Sequence, residues 1–210
     1  VRVPASSVRV GHAYRVRVRT RDNSGRWSHW SPPVSFIAGP SDDAVALADA
    51  LRVTEVMYHP AGGEANRDLE FIEFQNTGTN VLELGGVAIT EGVDFDFPSM
   101  TLDPGAFVLV VRDLAAFSAA FATSHLLIAG EYSGKLSDDG EEVRVRAGRN
   151  GAVLAEFTYG DGRGWPLSPD GAGHALVPGG LGRHDDGRLE YGGKGGAGSY
   201  WGVSPGYPYR

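Results

Sequence analysis

Leu51-Arg52-Val53-Thr54-Glu55-Val56-Met57-Tyr58-His59-Pro60, followed by Leu69-Glu70-Phe71-Ile72-Glu73-Phe74-Gln75-Asn76, is the stretch that decides the fold. Both segments are short, rich in β-branched and aromatic residues, and bounded by Pro, Gly and Asn, which reads as strand and turn. The pattern repeats downstream. Strands are predicted at about 51–58, 69–75, 86–91, 106–112, 126–129, 142–147, 152–158 and 173–177. Asp138-Asp139-Gly140 and Asn150-Gly151 are expected hairpin turns. One short helix is expected over 113–122, with Asp113 as its cap and Leu114, Phe117 and Phe121 on one face. Eight short strands and one helix predict an all-β sandwich.

Further landmarks recur in a fixed order: Leu82-Glu83-Leu84-Gly85-Gly86-Val87-Ala88-Ile89, Leu102-Asp103-Pro104-Gly105-Ala106-Phe107, Leu136-Ser137-Asp138-Asp139-Gly140, and Phe157-Thr158-Tyr159-Gly160-Asp161 before Trp165-Pro166. The series resembles the lamin tail domain, the sandwich at the end of nuclear lamins and in many bacterial surface proteins. The resemblance implies an immunoglobulin-like β-sandwich and a non-catalytic module. It also implies a helix or loop near 113–122 plugging one end of the sandwich. Tyr200-Trp201-Gly202-Val203-Ser204-Pro205-Gly206 resembles the closing Trp and Pro-Gly segment of the same family.

Charge divides the chain. Residues 1–39 hold seven Arg against one acidic residue, whereas residues 40–210 hold 12 basic and 25 acidic residues. The net charge is therefore about +6 before the break and about −13 after it. The expected organisation is 1–39 as a separate piece, 40–49 as linker or helical turn, 50–178 as the main domain and 179–210 as a Gly-rich closing segment. Eleven Gly between 179 and 206 read as a mobile loop over 179–198, with Trp201 returning to the sandwich.

The N-terminal piece alternates strictly: Tyr14, Val16 and Val18 on one face, Arg15, Arg17 and Arg19 on the other. A turn at Asp22-Asn23-Ser24-Gly25 precedes Trp27-Ser28-His29-Trp30-Ser31 and Val34-Ser35-Phe36-Ile37. This resembles the last two strands of a fibronectin type III domain with a Trp-Ser-x-Trp-Ser box. The resemblance implies a ladder in which Arg15, Arg17 and Arg19 interleave with Trp27 and Trp30, each contact giving about 0.5–2 kcal/mol. The ladder reads either as a ligand-contact surface or as stiffening of one exposed face. A β-hairpin remnant of 39 residues buries no core of its own. It is expected to dock on the main domain, pair with a neighbouring molecule, or be partly disordered.

Chemistry is sparse. Cys is absent, which excludes disulfides, thiolate catalysis and Cys-ligated zinc. Glu55, Glu70 and Glu73 lie on the first two strands and read either as a calcium site or as solvated faces with a structural hydrogen bond. The six His are scattered, and His59 before Pro60 is expected to shape a loop. No nucleophile elbow, P-loop or dinucleotide fingerprint is present. No catalytic, cofactor or metal residue is assigned, and no enzyme activity or cofactor is expected. The contact residues expected are Arg15, Arg17, Arg19, Trp27, Trp30, Tyr200 and Trp201, Trp and Tyr being favoured at binding hot spots.

No apolar run spans a bilayer, so no membrane insertion is expected. The chain begins Val1-Arg2-Val3 and is read as a piece of a longer protein. The functional expectation is an interaction or adhesion module of a secreted or cell-surface bacterial protein. Its expected partners are neighbouring domains and a protein or carbohydrate ligand. The alternatives are a passive spacer and, more remotely, an enzyme or a nuclear nucleic-acid binder. The acidic main domain repels phosphate, and the basic piece is expected to hold its Arg side chains against Trp. A mobility-shift titration with duplex DNA at low salt should therefore give no complex. Saturable micromolar binding that falls steeply with salt would contradict this.

Overall fold

A computed structural model describes residues 8–9, 11–39, 42–162, 164–179, 181–183, 189–191 and 201–204. Two six-stranded sheets face each other. The first runs β10 (Ile128–Glu131), β9 (Phe107–Val111), β4 (Phe71–Asn76), β3 (Leu51–Met57), β13 (Ala175–Pro178) and β16 (Trp201–Ser204). The second runs β14 (Leu181–Arg183), β15 (Leu189–Tyr191), β12 (Val153–Gly160), β11 (Gly140–Arg146), β6 (Ala88–Glu91) and β7 (Phe95–Asp96). A small ribbon joins β5 (Leu82–Glu83) to β8 (Thr101–Leu102), and the N-terminal hairpin is β1 (Ala13–Val16) with β2 (Val34–Ile37). The fold is all-β and agrees with an immunoglobulin-like sandwich. Among the described residues no helix is long and apolar enough to cross a membrane.

Alternation explains the core, with its phase shifted by bulges after Val53 in β3 and at Leu154 in β12. Val53, Val56, Tyr58, Ile72, Phe74, Val108 and Val110 point from the first sheet, and Ile89, Val143, Val145, Leu154 and Phe157 from the second. Phe74, Phe97 and Phe95 meet edge-on in sequence, the arrangement aromatic quadrupoles favour. On the outer side of the first sheet, α2 (Leu114–Ala120) lays Phe117 on Phe71 beside Met57, Leu109 and Val111. Asp113 caps it by accepting from the Ala116 N–H at 2.8 Å, as expected.

Three expectations are corrected. The segment over 40–49, expected as a linker or a helical turn, is more than either: it holds the helix α1 (Asp42–Ala50), and Ala44, Leu47 and Ala50 are buried. Arg52 fastens it, donating to the Ala48 and Leu51 carbonyls at 3.0 and 2.9 Å and also to the Asp49 carbonyl. A cation at the carbonyl end of a helix satisfies acceptors that have no partner within it. Within the expected mobile loop, Leu181–Arg183 and Leu189–Tyr191 are strands, and β15 runs parallel to β12 and extends the second sheet. Asp138-Asp139-Gly140 joins no hairpin, because β10 belongs to the first sheet and β11 to the second. It is a turn leading into β11. Gly140 has φ +94°, and a Cβ there would lie 2.4 Å from the Tyr159 carbonyl oxygen, so only glycine fits. Asn150-Gly151 does lie in the β11–β12 hairpin.

The connection between the sheets passes over one carboxylate. Glu70 is fully buried. It accepts from Arg112 at 2.9 Å, the Tyr132 hydroxyl at 3.0 Å and the Leu136 N–H at 2.8 Å. The Arg112 N–H donates in turn to the Glu70 carbonyl at 3.0 Å. Burial pushes the Glu70 carboxyl up, against the opposing pull of the Leu136 N–H, Arg112 and Tyr132. Folding therefore favours the protonated form. This group's share of stability is full below the unfolded carboxyl's range and is lost as pH rises through the folded value.

Glu70→Ala should lower the unfolding free energy by about 3–5 kcal/mol, since it strands Arg112, Tyr132 and Leu136. Urea denaturation measures it, and a loss under about 1 kcal/mol would contradict the role. Against Glu70→Gln, the wild type should gain stability as pH falls from about 7 towards 4. The opposite slope would mean that the ion pair outweighs burial.

Candidate functional site

The N-terminal hairpin is held open to solvent. β1 and β2 pair antiparallel from Ala13↔Ile37 to Val16↔Val34, and every side chain in them is exposed except the half-buried Tyr14. Val16, Val18, Val34, Phe36 and Ile37 are all exposed, so of the three alternatives for this piece these side chains do not show docking on the sandwich. Tyr14 instead stacks on Phe36 at 5.8 Å.

Beyond Val16 the two chains stay joined through the serines of the box. The Ser31 hydroxyl accepts from the Val18 N–H at 3.0 Å while the Ser31 N–H donates to the Val18 carbonyl at 2.8 Å. Ser28 repeats this with Thr20, at 2.9 and 2.8 Å. A hydroxyl thus takes the place of a backbone carbonyl in the ladder, which explains serine at both positions. The spacing presents Trp27 and Trp30 on the face that carries the arginines.

That face is ordered by stacking. The Arg19 guanidinium lies 4.3 Å from the Trp27 ring and 4.6 Å from Trp30. Arg21 lies over Trp27 at 5.6 Å and gives its Nε–H to the Gly25 carbonyl at 3.0 Å. Arg17 is tied instead to the Ser31 carbonyl by its Nε–H at 3.2 Å. Arg15 sits opposite Ser35 in the register, away from the box. Of the five hairpin residues singled out from the sequence, Arg19, Trp27 and Trp30 form one stack, with Arg17 beside it and Arg15 outside. Arg21 was missed, although it continues the 15, 17, 19 alternation; the adjoining turn at Asp22 obscured it. In the sequence, Ser28 and Ser31 stand out only as part of a motif.

The other expected contact residues divide. Trp201 is 5% exposed and packs on Phe157 and Trp165 at 5.5 and 5.8 Å. It is a core residue, because β16 turns its ring inward, and it belongs to no surface. Tyr200 lies outside the described residues.

The three carboxylates do not converge on one point. Glu70 is enclosed by its own network, while Glu55 and Glu73 face each other in register on β3 and β4. Glu73 accepts from the Thr54 hydroxyl at 2.6 Å. They line a groove of about 320 Å³ on the outer sheet face with Arg52, Gln75 and Phe107. Among the described residues no group of three or more His or acidic side chains is placed to hold a metal ion. His59 bonds Asp170 through Nδ1 at 2.7 Å, and the Gly171 N–H donates to the His59 carbonyl. It ties the loop before β13 to the end of β3. Asp94 and Asp96 both bind Arg149, which holds the Asp94 carboxyl below its ordinary range by hydrogen bonding.

The sandwich has a sequence counterpart. The model of the Lamin Tail Domain matches residues 44–161, more than half of the chain. The chain belongs to the lamin tail domain family. No curated protein and no solved structure matches it significantly. The lamin tail domain match begins within α1, in keeping with the burial of that helix, and ends just after β12. The hairpin lies before it. A lamin tail domain is an immunoglobulin-like fold that is generally a non-catalytic interaction module.

Proposed function

We propose that this chain is an interaction or adhesion module of a larger secreted or cell-surface bacterial protein. In this reading the lamin tail sandwich is the scaffold and the N-terminal hairpin is the contact surface. One observation carries it: Arg15, Arg17, Arg19 and Arg21 are exposed and have no carboxylate partner among the described residues, while the sandwich pairs its own. Arg67, Arg112, Arg144 and Arg149 each meet acidic side chains. The only acidic side chain in the hairpin, Asp22, is occupied by the N–H groups of Ser24 and Arg26 and by the Ser24 hydroxyl. Exposed, half-stacked Trp and Arg are also the residue types that dominate binding energy at interfaces. We read residues 1–39 as the C-terminal strands of a fibronectin type III domain, supported by the Trp-Ser-x-Trp-Ser sequence and its serine ladder.

A passive spacer needs no such surface. The labelled 210-residue chain should be retained saturably on washed bacterial cell envelopes. The combined variant Arg17→Ala, Arg19→Ala, Arg21→Ala should lose roughly tenfold or more of that affinity with the melting of the sandwich unchanged. Absence of saturable retention, or equal retention of the variant, would favour the spacer.

A further inference from the structure

We infer that the arginine face of the hairpin binds an extended acidic peptide whose carboxylates recur at every second residue. The inference rests on the reading of the hairpin as the contact surface and names the chemistry of its partner.

The first observation is a row of charge. Arg15, Arg17, Arg19 and Arg21 occupy alternate positions of one extended segment, and all four are exposed. Same-face side chains on a strand repeat at about 6.6–6.8 Å. An extended peptide repeats its own alternate side chains at the same interval, so glutamate or aspartate at every second position stays in step along the row. Opposite charges facing each other across neighbouring strands are stabilising.

The second observation is that the row is pre-organised. Arg17 and Arg21 each spend Nε–H on a backbone carbonyl, at 3.2 and 3.0 Å. Arg19 is held between two indoles. Each anchor fixes the plane of a guanidinium and leaves its terminal N–H groups for a carboxylate, which matches that fork with two oxygens. Little side-chain entropy remains to be lost on binding.

The third observation selects peptide over other anions. Single-stranded nucleic acid is gripped by bases stacking on open aromatic faces. Here Arg19 lies against both Trp27 and Trp30 and covers the side of each indole that faces it, and Arg21 also lies over Trp27. Between the two indoles the surface therefore offers a guanidinium edge rather than an open aromatic platform. Residues 40–210, at about −13, oppose a long polyanion such as duplex DNA.

The test is fluorescence anisotropy of a labelled short peptide alternating glutamate with threonine, titrated with the full chain at low salt. Binding should saturate. Arg17→Ala and Arg19→Ala should each weaken it about tenfold. Arg19→Lys, which keeps the charge and loses the planar fork, should weaken it several-fold. A peptide of the same composition with its glutamates in one block should bind about tenfold more weakly. Unchanged melting of the sandwich, together with unchanged hydrogen-exchange protection of the Val18 and Thr20 amides, checks that each variant keeps both sandwich and hairpin folded. Equal binding of the block peptide, or equal competition by a single-stranded oligonucleotide of the same charge, would overturn the inference as general polyanion capture. Envelope retention that depends on the arginines, with no binding of either peptide, would overturn the acidic partner and leave the contact surface standing. Loss of both would overturn both.

Discussion

The buried carboxylate of Glu70 is the constraint on which the sandwich depends. The chain must leave the first sheet after β10 and enter the second at β11, and that crossing passes Tyr132 and Leu136. Both donate to Glu70, which Arg112 at the end of β9 also holds. One side chain thus fixes the end of β9, the start of β4 and the crossover between sheets. A carboxylate buried in this way is stable only because each oxygen is met; Oε1 takes Arg112 and Oε2 takes Tyr132 and Leu136. Domains of this size are stable by only about 5–15 kcal/mol, so losing such a network removes a large share. Asn76 plays a similar part at the opposite end of β4. Its amide donates to the Asn80 and Leu102 carbonyls, and its carbonyl oxygen accepts from Gly78.

The same contrast in charge satisfaction separates scaffold from surface. Within the sandwich, Arg144 meets Glu91, Glu142 and Glu156, and Arg149 meets Asp94 and Asp96. These exposed clusters contribute little to stability. Their effect is to leave those arginines without reach for a partner. In the hairpin, guanidinium groups are held by indoles and carbonyls, which orient them without neutralising them. A stacked arginine remains a full charge.

Much of the fold was legible because its signal is local. Leu51 to Met57 and Phe71 to Asn76 declare themselves as strands by their β-branched and aromatic content between turn residues, and the order of turn landmarks indicated the family that the match over residues 44–161 establishes. What escaped reading has a common cause. The strands at 181–183 and 189–191 are defined by backbone pairing with a distant partner, and glycine-rich flanks hide them. The burial of α1 was obscured because Ala44, Leu47 and Ala50 form a sparse face among alanines. Glu70 looked like its neighbours Glu55 and Glu73, since nothing in sequence announces that Tyr132 and Leu136 will meet it. Trp201 had the composition of a contact residue, and only the pairing of β16 with β13 shows its ring turned inward. In the hairpin, the alternation gave the face, whereas the part played by Arg21 and the two serines depended on the geometry across the turn.

A closed scaffold carries an independently ordered hairpin. Native-state hydrogen exchange on the full chain, followed across low concentrations of denaturant, tests it most directly. The amides of Val18, Thr20, Ser28 and Ser31 should exchange by a small local opening with little denaturant dependence. Those of Phe74, Val110 and Leu136 should exchange only near the global unfolding free energy. Hairpin amides that share the protection and denaturant slope of the sandwich would contradict the claim, because the hairpin would then be part of the same cooperative core.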